Sequence, residues 1–142
     1  MTEPVEQIKR DEGFRSHAYR CSQGVLTIGY GRNIDPDGGG KGITEGEASL
    51  LLRHDLIEAE ADLATLLHNW HQIDPVRRGA LLNMRFQLGP HRLRGFVRML
   101  TAVRAGSWRR AALEATDSLW ARQTPNRAYR VAKELRDGIS LL

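Results

Sequence analysis

One short segment of the chain interrupts an otherwise helical pattern. Residues 18–34 are rich in Tyr, Val, Thr and Ile and are punctuated by glycines, which predicts a β-hairpin or a small sheet. On both sides of this segment, apolar residues recur at helical spacing, and glycines mark where helices should stop, the first at Gly13 and the last at Gly138. We therefore expect an α+β fold that is mostly helical.

The longest predicted helix follows a loop rich in Asp, Pro and Gly at residues 35–40. Thr44 and Glu47 have the spacing of a capping box, and apolar residues at helical spacing continue beyond them for about twenty residues. A helix of that length is long enough to connect two lobes.

Further helices are predicted towards the C-terminus. Asp74 and Pro75 open one that should stop at Gly89 and Pro90, with Met84 and Phe86 packed in the core. The remaining helical patterns lie at roughly 95–104, at 107–115, and from Thr124–Pro125 to Gly138.

Composition narrows the class of protein. A length of 142 residues with 41% apolar residues suits one folded domain. The N-terminus has no apolar run, so we expect neither a signal peptide nor a membrane-spanning helix, and a chain that begins in a cytosol. The net charge is +4, but the arginines are interleaved with apolar residues at helical spacing, which favours solvated helix faces over a nucleic-acid-binding surface. An anionic cell wall would also suit this charge.

Three residues near the N-terminus carry candidate chemistry. Glu12 is predicted at the end of a helix, where negative charge is disfavoured, so its carboxyl should hold a proton more readily. Cys21 is the only cysteine and cannot form an internal disulfide, so it serves either packing or chemistry. Thr27 lies across the predicted turn from Cys21. Glycosidic bond cleavage needs an acid and a second group across the sugar, although each residue taken singly also has a purely structural explanation.

Three blocks of sequence resemble the phage-type lysozymes, glycoside hydrolase family 24. The first is Asp11-Glu12-Gly13-Phe14-Arg15 with Tyr19, followed by Gly24 and Thr27-Ile28-Gly29-Tyr30-Gly31. The second is the run at 83–89, Asn-Met-Arg-Phe-Gln-Leu-Gly, and the third the run at 120–128, Trp-Ala-Arg-Gln-Thr-Pro-Asn-Arg-Ala. The likeness covers roughly residues 5–138.

The resemblance implies a lysozyme-like two-lobe fold for residues 1–142 as a single domain. A small β-hairpin lobe is expected at about 14–43 and a connecting helix at 44–67. The larger helical lobe would be formed by residues 1–13 and 68–142.

The resemblance also implies roles for individual residues. Glu12 matches the general acid, Thr27 the threonine that helps to hold the reacting water, and Arg127 an arginine that orients the catalytic glutamate. The residues expected to line the saccharide cleft are Gln87, Asn83, Asn126 and Gly31. For the first three, a role as interior hydrogen-bonding groups is an equal alternative.

Cys21 also fits the wider family signature, which admits Asp or Cys at a position separated by eight residues from the glutamate and by five residues from the threonine. Three mechanisms stay open for it. Its thiolate could attack the anomeric carbon and give retention, it could activate water and give inversion, or a neutral thiol could merely shape the site. The first two require a group that stabilises the thiolate, and the sequence identifies none.

The function implied is a phage endolysin, a lysozyme that hydrolyses the β-1,4 bond between N-acetylmuramic acid and N-acetylglucosamine of bacterial peptidoglycan. As a monomer it would wait in the host cytoplasm until a holin opens the membrane, and then reach the periplasm or cell wall. Alternatives are a weak or inactive wall-binding module of the same fold, a lytic transglycosylase, and a tail-associated or prophage-encoded lysozyme.

No cofactor or metal is expected. His68 and His71 are three residues apart, but no cluster of further ligands accompanies them. The glycine run at 38–40 precedes no unit of the kind that binds phosphates or dinucleotides. We also expect no stable insertion into a membrane and no nucleic-acid partner.

Overall fold

The computed structural model describes residues 2–141, so Met1 and Leu142, the ends of the predicted domain, lie outside the described residues. The helices are α1 (Thr2–Glu12), α2 (Glu45–Leu66), α3 (Pro75–Arg94), α4 (Val97–Arg104), α5 (Trp108–Thr116), α6 (Leu119–Gln123) and α7 (Pro125–Asp137). The strands are β1 (Arg15–Arg20), β2 (Leu26–Gly29) and β3 (Arg32–Asn33), and a 3₁₀ turn covers Trp70–Gln72. The predicted α+β class, mostly helical with one small β section, is confirmed.

The three strands form one antiparallel sheet in the order β1-β2-β3. Thr27 of the central strand pairs with Tyr19 on one side and Asn33 on the other. A glycine with positive φ, Gly24, lies in the tight connection between β1 and β2. This sheet places Thr27 at its centre and Cys21 at one of its turns.

Residues through Leu50 form one compact unit and residues from Leu51 onwards form a second, with the boundary inside α2. In the first unit, α1 packs beside the turn between β2 and β3. The ring of Phe14 lies 5.6 Å from that of Tyr30, and the Lys9 ammonium lies 5.6 Å from the same tyrosine ring.

The predicted capping box at the start of α2 is confirmed. Glu47 Oε1 accepts from the Thr44 backbone N–H at 2.9 Å, and Thr44 Oγ1 accepts from the Glu47 N–H at 3.1 Å. The same carboxylate forms a two-point ion pair with Arg32 of β3, at 2.8 and 2.7 Å. The Thr44 N–H and the Arg32 guanidinium lower the pKa of Glu47 to about 2. This carboxylate therefore joins the sheet to the helix that follows it.

The second unit encloses a hydrophobic core between its helices. Its largest fully buried side chains are Trp70, Leu63, Leu67, Leu81, Met84, Leu93, Met99, Leu135, Val103 and Val131. The prediction that Met84 packs in the core is confirmed, but the same prediction for Phe86 is wrong, because its side chain is 45% exposed. The inward positions of α3 are Leu81, Met84, Arg85 and Leu88, and Phe86 lies outside that helical stripe.

The prediction that this helix stops at Gly89 and Pro90 is half correct. Gly89 has φ 80° and ψ 169°, which breaks the helix, but a helical turn resumes at Pro90 and runs to Arg94. Proline suits the first turn of the new segment because that position needs no N–H donor. Two short elements were not predicted, the 3₁₀ turn at Trp70–Gln72 and α6. Within residues 2–141, no helix has both the length and the apolar character needed to cross a membrane.

Candidate active site

Glu12 is the last residue of α1, and its side chain is exposed. The Gly13 N–H donates to Lys9 O at 2.9 Å, and Gly13 has φ 72°, so the chain turns sharply away from the helix axis. The carboxyl reaches the turn between β2 and β3. A β-carbon on Gly31 would lie 2.6 Å from Glu12 Oε2, closer than atoms can approach. The absence of a side chain at position 31 is therefore what leaves room for the carboxyl.

Cys21 begins the turn between β1 and β2. Its backbone N–H donates to Val25 O at 2.9 Å, and its carbonyl accepts from the Gly24 N–H at 2.8 Å. The backbone N–H of Gln23, followed by that of Val25, lowers the pKa of the Cys21 thiol by donating to the sulfur. Burial opposes this effect, and the Thr27 hydroxyl adds to it. These donors, the N–H groups of Gln23 and Val25 and the Thr27 hydroxyl, form a donor cradle around the sulfur. Hydrogen bonds to the sulfur favour the thiolate over the neutral thiol.

Thr27 is buried at the centre of the sheet. Its Oγ1 donates to Val25 O at 2.8 Å. Because a hydroxyl carries a single proton, Oγ1 donates either to Val25 O or to the Cys21 sulfur, while its lone pairs stay available to accept a bond from water. Thr27 thus has the chemistry to support a thiolate or to hold a water molecule.

The remaining predicted site residues belong to the second unit. Arg127 lies in the first turn of α7, where its Nε donates to Asn83 Oδ1 at 2.8 Å and a terminal nitrogen reaches Asn83 O at 3.4 Å. One turn further along α3, Gln87 Oε1 accepts from the Trp120 indole N–H at 2.8 Å. Asn126 is exposed beside Arg127. The pairing of Arg127 with Glu12 stays a prediction.

The two amides on α3 have intramolecular partners of their own. Asn83 accepts from the guanidinium of Arg127, and Gln87 accepts from the indole of Trp120. The NH₂ group of Gln87 donates to no atom within residues 2–141, so it can still serve a ligand. The bond of Gln87 is partly buried and that of Asn83 lies at the surface, and the role of both residues in lining a saccharide cleft stays a prediction.

Sequence reasoning missed the groups that stabilise the Cys21 thiolate. They are mainly backbone N–H groups, which every residue except proline carries, so no residue type marks them. The Ser-Gln-Gly run after Cys21 was the available signal, since a turn that tight points successive N–H groups inwards. Together the first unit holds an exposed carboxyl against Gly31 and, in the turn between β1 and β2, a thiol whose pKa is lowered.

Comparison with known proteins identifies the family of this chain. The family model described as phage lysozyme matches residues 9–134. The chain is 33% identical to the pre-baseplate central spike protein Gp5 of Enterobacteria phage T4, over 94% of this chain and 28% of that protein. It is 29% identical to the probable T4-type lysozyme 1 of Dictyostelium discoideum, over 94% of this chain and 93% of that protein.

A shorter match, 35% identical over 60% of each chain, is to the endolysin of Salmonella phage P22. The chain thus spans less than a third of the spike protein but nearly the whole of the Dictyostelium lysozyme. The family model covers most of the described residues, including the stretch from Glu12 to Gly31 and Arg127. The resemblance read from the sequence is confirmed: this chain belongs to the phage lysozyme family.

Proposed function

We propose that this chain is a peptidoglycan hydrolase that cleaves the β-1,4 bond between N-acetylmuramic acid and N-acetylglucosamine. Its family supports hydrolysis of peptidoglycan. The observation that carries the proposal of glycosidic bond cleavage is the donor cradle around the Cys21 sulfur. A turn that favours the thiolate supplies the second group that glycosidic cleavage needs beside an acid.

In this proposal Glu12 is the general acid. It gives its proton to the glycosidic oxygen as the bond from that oxygen to the anomeric carbon breaks. The support is positional: the carboxyl is exposed at a helix end and lies against Gly31, whose missing side chain leaves room for it there.

Cys21 then acts on the anomeric carbon in one of two ways. As a nucleophile, the thiolate forms a carbon–sulfur bond that water later hydrolyses, and the product retains its anomeric configuration. As a base, it takes a proton from a water molecule that attacks the same carbon, and the configuration inverts. The lowered pKa of the thiol favours these two roles, because both need the thiolate. It speaks against a neutral thiol that only shapes the site.

Thr27 is proposed to hold the reacting water or the thiolate, and Arg127 to orient the Glu12 carboxylate. Asn83 supports this role of Arg127, because it accepts a bond from Nε and thereby restricts the side chain. Gln87, Asn126 and Gly31 are proposed to line the saccharide cleft.

For the biological role, we propose an endolysin that lyses the host cell from within, in the way implied by the likeness to the P22 endolysin. The likeness to the T4 spike protein favours a second role, a wall-cutting part of the virion. Detection of the chain in washed virions by mass spectrometry separates the two. Its presence there in stoichiometric amounts supports the second role, and its absence supports the first.

The test of the activity is the release of soluble fragments from purified peptidoglycan. Glu12→Gln and Cys21→Ala should each lower the rate by about a hundredfold or more, the range over which acid–base groups act. Glu6→Gln is the matched control, the same change on the same helix, where Glu6 pairs with Lys9 at the surface. Full activity in Cys21→Ala would contradict the proposed role of the thiol.

A further inference from the structure

Asp35 has no part in the predicted catalytic set, yet its half-buried carboxylate is saturated with hydrogen bonds. Oδ1 accepts from the backbone N–H groups of Asp37 and Gly38, at 3.1 and 3.3 Å. Oδ2 accepts from the Leu26 N–H and from Arg20, both at 3.2 Å. One carboxylate thus joins the loop after β3 to the strands on either side of the Cys21 turn.

Arg20 completes this arrangement. The nitrogen that reaches Asp35 also donates to Gly24 O at 3.0 Å. The residue before the turn is therefore bonded to a carbonyl within it, while Asp35 holds the Leu26 N–H just after it. Arg20 and Asp35 fasten the turn at its start, its middle and its end.

The groups that donate to the Cys21 sulfur lie inside this fastened turn. They are the backbone N–H groups of Gln23 and Val25, whose directions depend on the conformation of only a few residues. Ser22, Gln23 and Gly24 are exposed and Val25 is only partly buried, so packing alone does not hold the turn in place. Two backbone hydrogen bonds close the turn itself, and the bonds made by Arg20 and Asp35 anchor it to the strands and to the loop after β3.

We propose that Asp35, together with Arg20, is a positioning residue for Cys21, because the pair holds the turn in the geometry that directs the Gln23 and Val25 N–H groups at the sulfur. The consequence for catalysis rests on the proposed role of Cys21, but the consequence for the thiol does not. Asp35 is suited to this task because the Leu26 N–H, more than any other group, lowers the pKa of its carboxyl and keeps it ionised.

Arg20 and Asp35 are bonded to groups other than the thiol. Arg20 directs its guanidinium at Gly24 O and Asp35, and Asp35 is occupied by Leu26, Asp37 and Gly38. The groups that lower the pKa of Cys21 are donors of its own turn and the Thr27 hydroxyl of β2. A change at Asp35 therefore reaches Cys21 through the geometry of the turn.

The test is the pH dependence of Cys21 alkylation by iodoacetamide in the full chain, where it is the only cysteine. Asp35→Asn should raise the midpoint of the titration, so that alkylation below the midpoint is about threefold slower or more. On purified peptidoglycan, kcat should fall while KM stays within about twofold. Asp37→Asn is the matched control, the same change two residues along, and should alter neither quantity.

A second variant keeps the proposal testable if Asp35→Asn does not fold, as judged by circular dichroism. Arg20→Gln removes the bonds to Gly24 and Asp35 but leaves the bond from Leu26 to Asp35, and should shift alkylation in the same direction by a smaller factor. An unchanged titration in a folded Asp35→Asn or Arg20→Gln variant overturns the proposal. A shifted titration with unchanged kcat supports the positioning role and contradicts the catalytic role of Cys21.

Discussion

Glycine at position 31 meets two requirements at once. Its φ of 74° lies in the left-handed region, which other residues enter at a cost, and a β-carbon there would collide with the Glu12 carboxyl. The first requirement concerns stability and the second concerns the position of the acid. A suitable control can separate them, because other glycines in the same unit share only the first.

Gly31→Ala should displace the Glu12 carboxyl and lower the rate of peptidoglycan cleavage by about tenfold or more, since small misplacements of catalytic groups are costly. It should also lower the free energy of unfolding by about 1–2 kcal/mol through backbone strain. Gly39→Ala has a similar φ of 75° with open space around the new carbon, and should lose stability alone. Equal activity of the two variants in a turbidity assay would refute a steric role for position 31.

For single residues, the sequence predicted where the candidate site residues lie better than it predicted their hydrogen-bond partners. Glu12 at a helix end, Thr27 in a strand and Cys21 at a turn were all readable from pattern. The hydrogen bonds that Asp35 accepts from the Leu26 N–H and from Arg20 join residues nine and fifteen positions apart, and spacing rules carry no information about such pairs. Those bonds follow from the register of the sheet, which the sequence pattern left open.

Two carboxylates of α2 connect this helix to β3 and to α3. Glu47 at its first turn binds Arg32 of β3, and Asp62 near its end binds Arg85 and Arg94 of α3. The two differ in burial, because Glu47 is partly solvated while Asp62 and Arg85 are largely enclosed. Their contributions to stability should therefore differ in size and in pH dependence.

For Glu47 the expected effect is a loss of stability in acid. Its pKa is about 2 in the folded chain against an ordinary 4.5, so the carboxylate stabilises the fold fully above pH 4.5. This contribution is lost as the pH falls from 4.5 to about 2. Urea unfolding of the native chain and Glu47→Gln should differ most at neutral pH and converge in acid, and a constant difference would contradict the assignment.

For Asp62 the expected effect is larger. Burial raises the pKa of this carboxyl, but hydrogen bonds from Arg85 and Arg94 outweigh it and leave the pKa below its usual value. Asp62→Ala leaves the guanidinium of Arg85, which is 8% exposed, without its partner. We expect a loss of about 3 kcal/mol in the free energy of unfolding. Asp137→Ala, which breaks the surface pair with Arg136, is the control and should leave the unfolding midpoint unchanged.

The elements themselves were predictable where a local rule determines them. The capping box of α2 and the left-handed Gly138 that ends α7 were both read from sequence. The short α6 was missed because five residues are too few to show helical periodicity, although Ser118 caps it through Ala121. Arg85 is buried and Phe86 is exposed, which is the reverse of what hydrophobicity alone predicts. Burial of Arg85 is favourable because its guanidinium pairs with Asp62.

On the scale of the whole molecule, charge is unevenly distributed along the chain. Residues 51–142 carry fifteen Arg or Lys and nine Asp or Glu, whereas residues 1–50 carry six and eight. The second unit is thus strongly basic and the first slightly acidic. A basic surface attracts an anionic polymer over distances that salt shortens.

Binding to the bacterial wall should therefore weaken with salt. The Glu12→Gln variant, sedimented with purified sacculi, should lose most of its bound fraction between about 20 and 500 mM NaCl, because exposed charges are screened over that range. Chitin, which is uncharged, is the control polymer and should show no such dependence. Binding to sacculi that is indifferent to salt would mean that the basic unit does not contribute to recognition of the wall.

The most direct test of the central claim is the chemical identity of the products released from purified peptidoglycan, with their mass and anomeric form determined together. We expect hydrated fragments that end in reducing N-acetylmuramic acid, released about a hundredfold or more slowly by Glu12→Gln and by Cys21→Ala. Retention would identify Cys21 as the nucleophile and inversion as the base. Fragments lighter by one water would instead reveal a transglycosylase, and a chain that binds the wall but releases nothing would be a binding module. Either result would show that this chain is not a hydrolase of the glycosidic bond.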